Sequence, residues 1–336
     1  MSAQFIAAQL IQDSIANFQS NRQSHSQVID ISIAQYQIRI HVASQGLWEY
    51  IYPAFAWQAK TSTIKPDIEI YALEGAGAVV SPWGSEDFLD GNRIRGLDSG
   101  DVLASFDLEH SVLNAFDHLT NKGIFWVSQS SRLPEWEFGA PLRNILTWAL
   151  FSRGVHIIHS AGIGRNGKGL LLIGQGGSGK STTTAISLQN GFKTTGDDYC
   201  AISSVNPPKI FGIYGLLKLV PHAVGTSKLQ NSSGLRKRLD GKAHFNIESS
   251  MLDSLELKAI LFTRVGMSTE TLLPLSQQEV LIRFISGTFP QTTFNQIALF
   301  QSLSRISQLI KAFELEVGPE IMKIHHTLES LIHNNE

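Results

Sequence analysis

Phe5, Ile6, Leu10, Ile11, Ile15 and Phe18 recur at helical spacing, which predicts an amphipathic helix over residues 3–18. Its polar face carries no lysine or arginine, so it reads as a helix docked on its own domain rather than on a membrane surface. Residues 17–27 are nearly all polar and read as a loop. Strand-like alternation follows. Ile29, Ile31 and Ile33 share one phase, and Tyr36, Ile38, Ile40 and Val42 share another, so a bulge or tight turn is expected at Ala34–Gln35. Shorter alternating runs occur at 68–73, 78–80 and 102–106, set apart by Ser81-Pro82, Asp90-Gly91-Asn92 and Ser99-Gly100-Asp101. The first stretch of the chain therefore reads as a β-rich α+β domain over residues 1–138, with no constellation in it that demands chemistry.

Beyond that point the periodicity becomes mixed. A helix is predicted over 140–153 with Pro141 in its first turn, strands over 155–162 and 169–173, and a helix over 180–190 ended by Gly191. Strands at 194–203, 210–220 and 255–264 and helices at 277–286, 295–312 and 319–333 complete an α/β domain over residues 139–336.

Composition narrows the function classes. The 336 residues carry 27 Lys+Arg against 29 Asp+Glu, a net charge of −2, which speaks against a nucleic-acid binder and against polybasic membrane anchoring. With 43% hydrophobic and 17% charged residues the chain can bury a core and is not disordered. The low charge also leaves apolar surface that would support a homo-oligomer. One cysteine, Cys200, excludes an internal disulfide framework and any multi-cysteine metal site. No apolar run is long enough to span a membrane, and the N-terminus lacks the basic start of a signal peptide, so a cytoplasmic location is expected.

The strongest chemical signal is the run Gly174-Gln175-Gly176-Gly177-Ser178-Gly179-Lys180-Ser181, followed by Thr182. It fits the phosphate-loop pattern G-x-x-x-x-G-K-[ST], entered by an apolar strand and left by a helix. Glycines let successive backbone N–H groups turn inward as an anion nest, and the helix N-terminus adds partial positive charge. Lys180 would reach the β- and γ-phosphates of ATP, and the Ser181 hydroxyl would ligate Mg²⁺. Downstream lies Gly196-Asp197-Asp198-Tyr199. Two adjacent carboxylates at a strand end suit a metal-and-base site, one completing the Mg²⁺ shell and the other facing an acceptor, because neighbours on a strand point to opposite sides. His156 and His159 are three apart and would face opposite ways. They read as structural residues, and the His325-His326 pair as surface.

The segment from His159 through LLLIGQGGSGKSTTTAISLQNGFKTTGDDYCAI resembles the catalytic domain of HPr kinase/phosphorylase, and more closely an HPr-kinase-like group of serine kinases. Further marks are Tyr214-Gly215-Leu216-Leu217-Lys218-Leu219, Arg236-Lys237-Arg238 and the run FELEVG at 313–318, so the resemblance covers about residues 140–333. It implies a P-loop core akin to phosphoenolpyruvate carboxykinase and an ATP- and Mg²⁺-dependent transfer of phosphate to a serine hydroxyl. It also implies that His159 and Asp197 assist the attacking hydroxyl and that Asp198 sits nearer the metal, with the reverse order left open. Lys180 and Ser181 keep the roles given above. Where HPr kinases have a Glu-x-Arg-Gly stretch this chain has Gly212-Ile213-Tyr214-Gly215, so the resemblance leaves phosphorylase activity and HPr as substrate open, and with them an acceptor that is a protein, a peptide or a small hydroxyl compound. Lys218 and the Arg236–Arg238 cluster are candidates for binding phosphate or an acidic substrate. The alternative is a regulatory nucleotide-binding ATPase module that switches a partner interaction and could dispense with Asp197.

Overall fold

A helix followed by two antiparallel runs joined at Ala34–Gln35 opens the first unit of the chain, residues Met1–Arg153. The computed structural model describes residues 2–20, 26–75, 83–220, 236–237, 241–266, 271–291, 294–318 and 324–333. The unit comprises α1 (Ala3–Ser20), β1 (Gln27–Ile33), β2 (Tyr36–Val42), α2 (Gln45–Phe55), β3 (Ile68–Glu74), β4 (Phe88–Leu89), β5 (Arg93–Ile94), β6 (Val102–Asp107), β7 (Val112–Asp117), β8 (Lys122–Val127) and α3 (Arg143–Phe151). Ala34 and Gln35 both take positive φ, 49° and 77°, and Ile33 pairs with Tyr36. The phase shift is therefore a two-residue hairpin turn rather than a bulge. The run expected at 78–80 lies outside the described residues.

The strands form one sheet in the order β1-β2-β3-β8-β7-β6-β5-β4, with β2, β3 and β8 mutually parallel. Ala7, Ile11 and Ile15 of α1 pack against Tyr71, Ala104, Leu113 and Ile124. Gly123 faces the other side, where a Cβ would lie 2.9 Å from Ile145 Cγ2; its missing side chain lets α3 settle on β7 and β8. Helices on both faces explain why the middle strands are buried along nearly their whole length.

The second unit spans Gly154–Glu336, so the division falls after α3 and not at 138/139, because that helix packs on strands of the first unit. Its elements are β9 (Val155–Ile158), β10 (Ser160–Arg165), β11 (Lys168–Ile173), α4 (Lys180–Gln189), β12 (Lys193–Gly196), β13 (Cys200–Ser203), β14 (Lys209–Phe211), β15 (Leu216–Leu219), β16 (Arg236–Lys237), β17 (Ala243–Asn246), β18 (Ser254–Val265), β19 (Thr271–Pro274), α5 (Gln277–Thr288), α6 (Gln296–Leu309), β20 (Lys311–Val317) and α7 (Ile324–His333).

The main sheet runs β12-β10-β11-β18-β14-β13-β9, with β20 also on β18 and β19 on β20. The strands β11, β18 and β20 are parallel. Alternation along β11 sorts its side chains. Leu171 and Ile173 join Phe284 of α5 and Leu303 of α6, while Leu170 and Leu172 join Ile186 of α4 and Leu328 of α7. A mixed α/β fold results, with helices on both faces. A separate three-stranded sheet, β15-β17-β16, flanks α4.

Four expectations need correction. The strand at 155–162 breaks at His159, and that at 194–203 breaks at Asp197–Tyr199. The run 210–220 divides between two sheets, as β14 and β15. The helix expected to reach 312 stops at Leu309, where Ile310 is extended and the chain enters β20 to pair with β18. Of the helix expected at 319–333, the described part is α7; residues 319–323 lie outside the described residues.

Candidate functional site

Where β11 ends, the chain turns sharply to enter α4, and the sequence of that turn is dictated by crowding. A Cβ on Gly174 would stand 2.4 Å from Ser178 Oγ and 2.9 Å from the Thr263 carbonyl oxygen. Gly179 takes φ +98°, a left-handed conformation that favours glycine, directly before the first helical residue. The Ser178 and Thr263 hydroxyls hydrogen-bond at 2.9 Å, which ties the loop to β18. The loop thus ends on a helix N-terminus, the arrangement that attracts phosphate.

Lys180 is buried beside this loop. Its Nζ donates to the carbonyls of Gly174, at 2.5 Å, and Gln175, at 3.3 Å. Burial draws its pKa down to about 8, against the pull of Asp197 and Asp198; the charges of Lys218 and Lys242 push the same way as burial.

The acidic pair lies in a bend, not on a strand. The bend opens after Gly196, at φ +138°, and closes at Cys200. It is the bend that gives the carboxylates different surroundings. Asp197 is 2% exposed. Its Oδ2 accepts the Lys218 backbone N–H at 3.1 Å, and its Oδ1 has no hydrogen-bond partner among the described residues. Burial, then the charge of Asp198, raises its pKa to about 6, while the Lys218 N–H and the nearby Ser181 hydroxyl pull it back. Asp198 Oδ1 lies 3.5 Å from His159 Nδ1, and Oδ2 lies 2.7 Å from Lys218 Nζ. Burial alone would raise this carboxyl as well, but Lys218, His159 and Lys180 outweigh it and hold it below the usual range.

Gly176–Thr182, His159, Asp198, Lys218 and Lys242 line one pocket of about 260 Å³. Gly174, Gln175 and Asp197 do not line it; Asp197 lies buried beside Ser181. His159 reaches the pocket because the break between β9 and β10 falls on it, and its ring packs edge-on to Tyr199 at 5.3 Å. His156 is directed elsewhere. It hydrogen-bonds Ser302 at 2.7 Å and is lowered to about 4 by burial. His325 and His326 ride on α7, outside the pocket. Sequence reasoning missed Lys242, which follows Gly241 in the turn before β17 and carries no local signal. The side chains of Arg236, Lys237 and Arg238 lie outside the described residues.

Among the described residues no group of three or more His, Cys, Asp or Glu side chains is placed to hold a metal ion alone. The orphaned Asp197 Oδ1 beside the Ser181 hydroxyl does fit magnesium, which takes few protein oxygens and fills its shell with phosphate oxygens and water.

No family model matches the chain, and no curated protein matches it. Among solved structures it shows a distant likeness to the "Hpr(Ser) kinase/phosphatase from Coxiella burnetii", at 9% identity over 53% of this chain and 95% of that one, with a TM-score of 0.30. A likeness of that degree assigns no residue and no activity.

Proposed function

We propose that the chain is an ATP- and Mg²⁺-dependent phosphotransferase that acts on a hydroxyl acceptor. The observation that carries this reading is the convergence on one pocket of a phosphate loop and an Asp198–His159 pair. The resemblance of 174–199 to HPr-kinase-like serine kinases favours a serine hydroxyl as the acceptor. The loop amides and Lys180 hold the β- and γ-phosphates and balance the charge that develops on them. Bound magnesium would supply further charge neutralisation there, held by Ser181 and Asp197. Asp198 faces the pocket and accepts the hydroxyl proton, with His159 beside it. This order of the two carboxylates is the reverse of the one implied by resemblance, and burial of Asp197 beside Ser181 favours it. The acceptor oxygen bonds to the γ-phosphorus as the bond to the β,γ-bridging oxygen breaks, and ADP departs with that electron pair.

ATP with Mg²⁺ is expected to raise the melting temperature of the full chain, and Lys180→Ala to abolish the rise. A wild-type chain that gives no calorimetric signal at millimolar ATP would end this reading. One that binds ATP but transfers phosphate to nothing, and is indifferent to Asp198→Asn, would be a nucleotide-dependent switch instead.

A further inference from the structure

Both oxygens of Asp198 already have a close partner in the resting site. Oδ1 lies against His159 and Oδ2 against the Lys218 ammonium, the shorter contact at 2.7 Å. A hydroxyl that is to pass its proton to this carboxylate must first hydrogen-bond to one of those oxygens. Lys218 is the contact that can be exchanged. Its ammonium rides on a flexible four-carbon stem, and its backbone N–H is separately fixed to Asp197 Oδ2, so β15 stays anchored when the side chain moves. Lys242 lines the same pocket. With Lys180 engaged by the phosphates of ATP, Lys218 and Lys242 leave a cationic wall beside the proton acceptor.

We propose that the acceptor carries an anionic group, a carboxylate or a phosphate, close to its hydroxyl, and that this group draws Lys218 off Asp198 and onto the wall it shares with Lys242. Asp198 is then open to a hydroxyl only when a suitable acceptor is seated. Water brings no such anion, so hydrolysis of ATP without acceptor stays slow. The inference rests on the reading of the pocket as a phosphotransferase site.

A matched panel tests it with the full chain: glycerol, glycerate and glycerol 3-phosphate, with two serine peptides flanked by neutral or by acidic residues. Transfer, acceptor binding to the ADP-loaded protein, and hydrolysis without acceptor are measured for wild type, Lys218→Met and Lys218→Arg. Anionic members should exceed their neutral counterparts by about tenfold or more in kcat/KM and in binding, the scale of one charged hydrogen bond. Lys218→Met should bring that ratio towards one and raise acceptor-free hydrolysis, while Lys218→Arg keeps the preference. Whether small acids or the acidic peptide lead identifies the source of the anion. Equal use of neutral and anionic members overturns the inference, as does a uniform loss in Lys218→Met. If no acceptor on the panel reacts, hydrolysis by Lys218→Met at or below the wild-type rate overturns it. ATP binding is followed in the same samples. Its absence sinks the underlying reading and the inference with it, whereas binding with indiscriminate acceptor use sinks the inference alone.

Discussion

Asp197→Asn is expected to make the nucleotide-free protein more stable at pH 8 and at the same time weaken its Mg²⁺-dependent hold on nucleotide. Burial raises the folded pKa of Asp197 from 3.8 to about 6. A carboxyl whose pKa is raised on folding contributes stability below its unfolded pKa and loses that contribution as pH rises through the folded one. Above pH 6 the folded state therefore carries an ionised, half-satisfied carboxylate at a penalty on the order of 2–3 kcal/mol. An amide avoids the charge. It still has polar atoms to satisfy, so the gain in urea or thermal melts should reach at most that size at pH 8, and it should vanish below about pH 4. An Asn variant no more stable than wild type at pH 8 would contradict the burial argument. Loss of Mg²⁺ dependence accompanies the gain because an amide oxygen is a poorer ligand for a hard cation.

Asp198→Asn should leave ATP affinity nearly unchanged and lower phosphoryl transfer by a factor on the order of 10²–10⁴. The carboxylate lines the pocket and touches His159 and Lys218, while the glycine-rich loop is held by β11, β18 and α4. Calorimetry with ATP and a single-turnover transfer assay on the same preparation separate the two quantities. A variant that transfers at the wild-type rate, beside an Asp197→Asn variant that does not, would return the base role to Asp197.

Much of the fold could be read from local pattern, and the exceptions have identifiable physical reasons. The amphipathic repeat of α1 and the apolar run of β11 are set by neighbours in sequence, so periodicity finds them. α2 escaped because GLWEYIYPAF is rich in aromatics and contains Pro53, both signals of non-helical chain. Its start is nonetheless fixed by Ser44, whose hydroxyl accepts the Leu47 N–H at 3.2 Å. Lys311 and Ala312 carried on from a helical pattern, yet Lys311–Val317 forms a strand because Ala259–Val265 offers it a parallel partner, a long-range fact that no local window contains. At the site, the loop and the acidic pair are contiguous motifs and were visible. Lys218 was named as a candidate, but its place on a small separate sheet, its contact with Asp198 and the arrival of Lys242 from the turn before β17 come only from the fold.

The bend that holds the two carboxylates ends on the chain's single cysteine. Cys200 is buried, its Sγ lies 3.6 Å from both the Thr195 hydroxyl and the Ser160 carbonyl, and burial pushes its pKa up to about 12. A thiol so placed reacts with a maleimide only when the surrounding structure opens. Labelling kinetics of the unmodified protein therefore time the opening of one known spot next to the acidic bend, with no engineered probe and no competing thiol. Nucleotide that clamps the loop to its neighbours should slow that clock, while global unfolding should let it run freely.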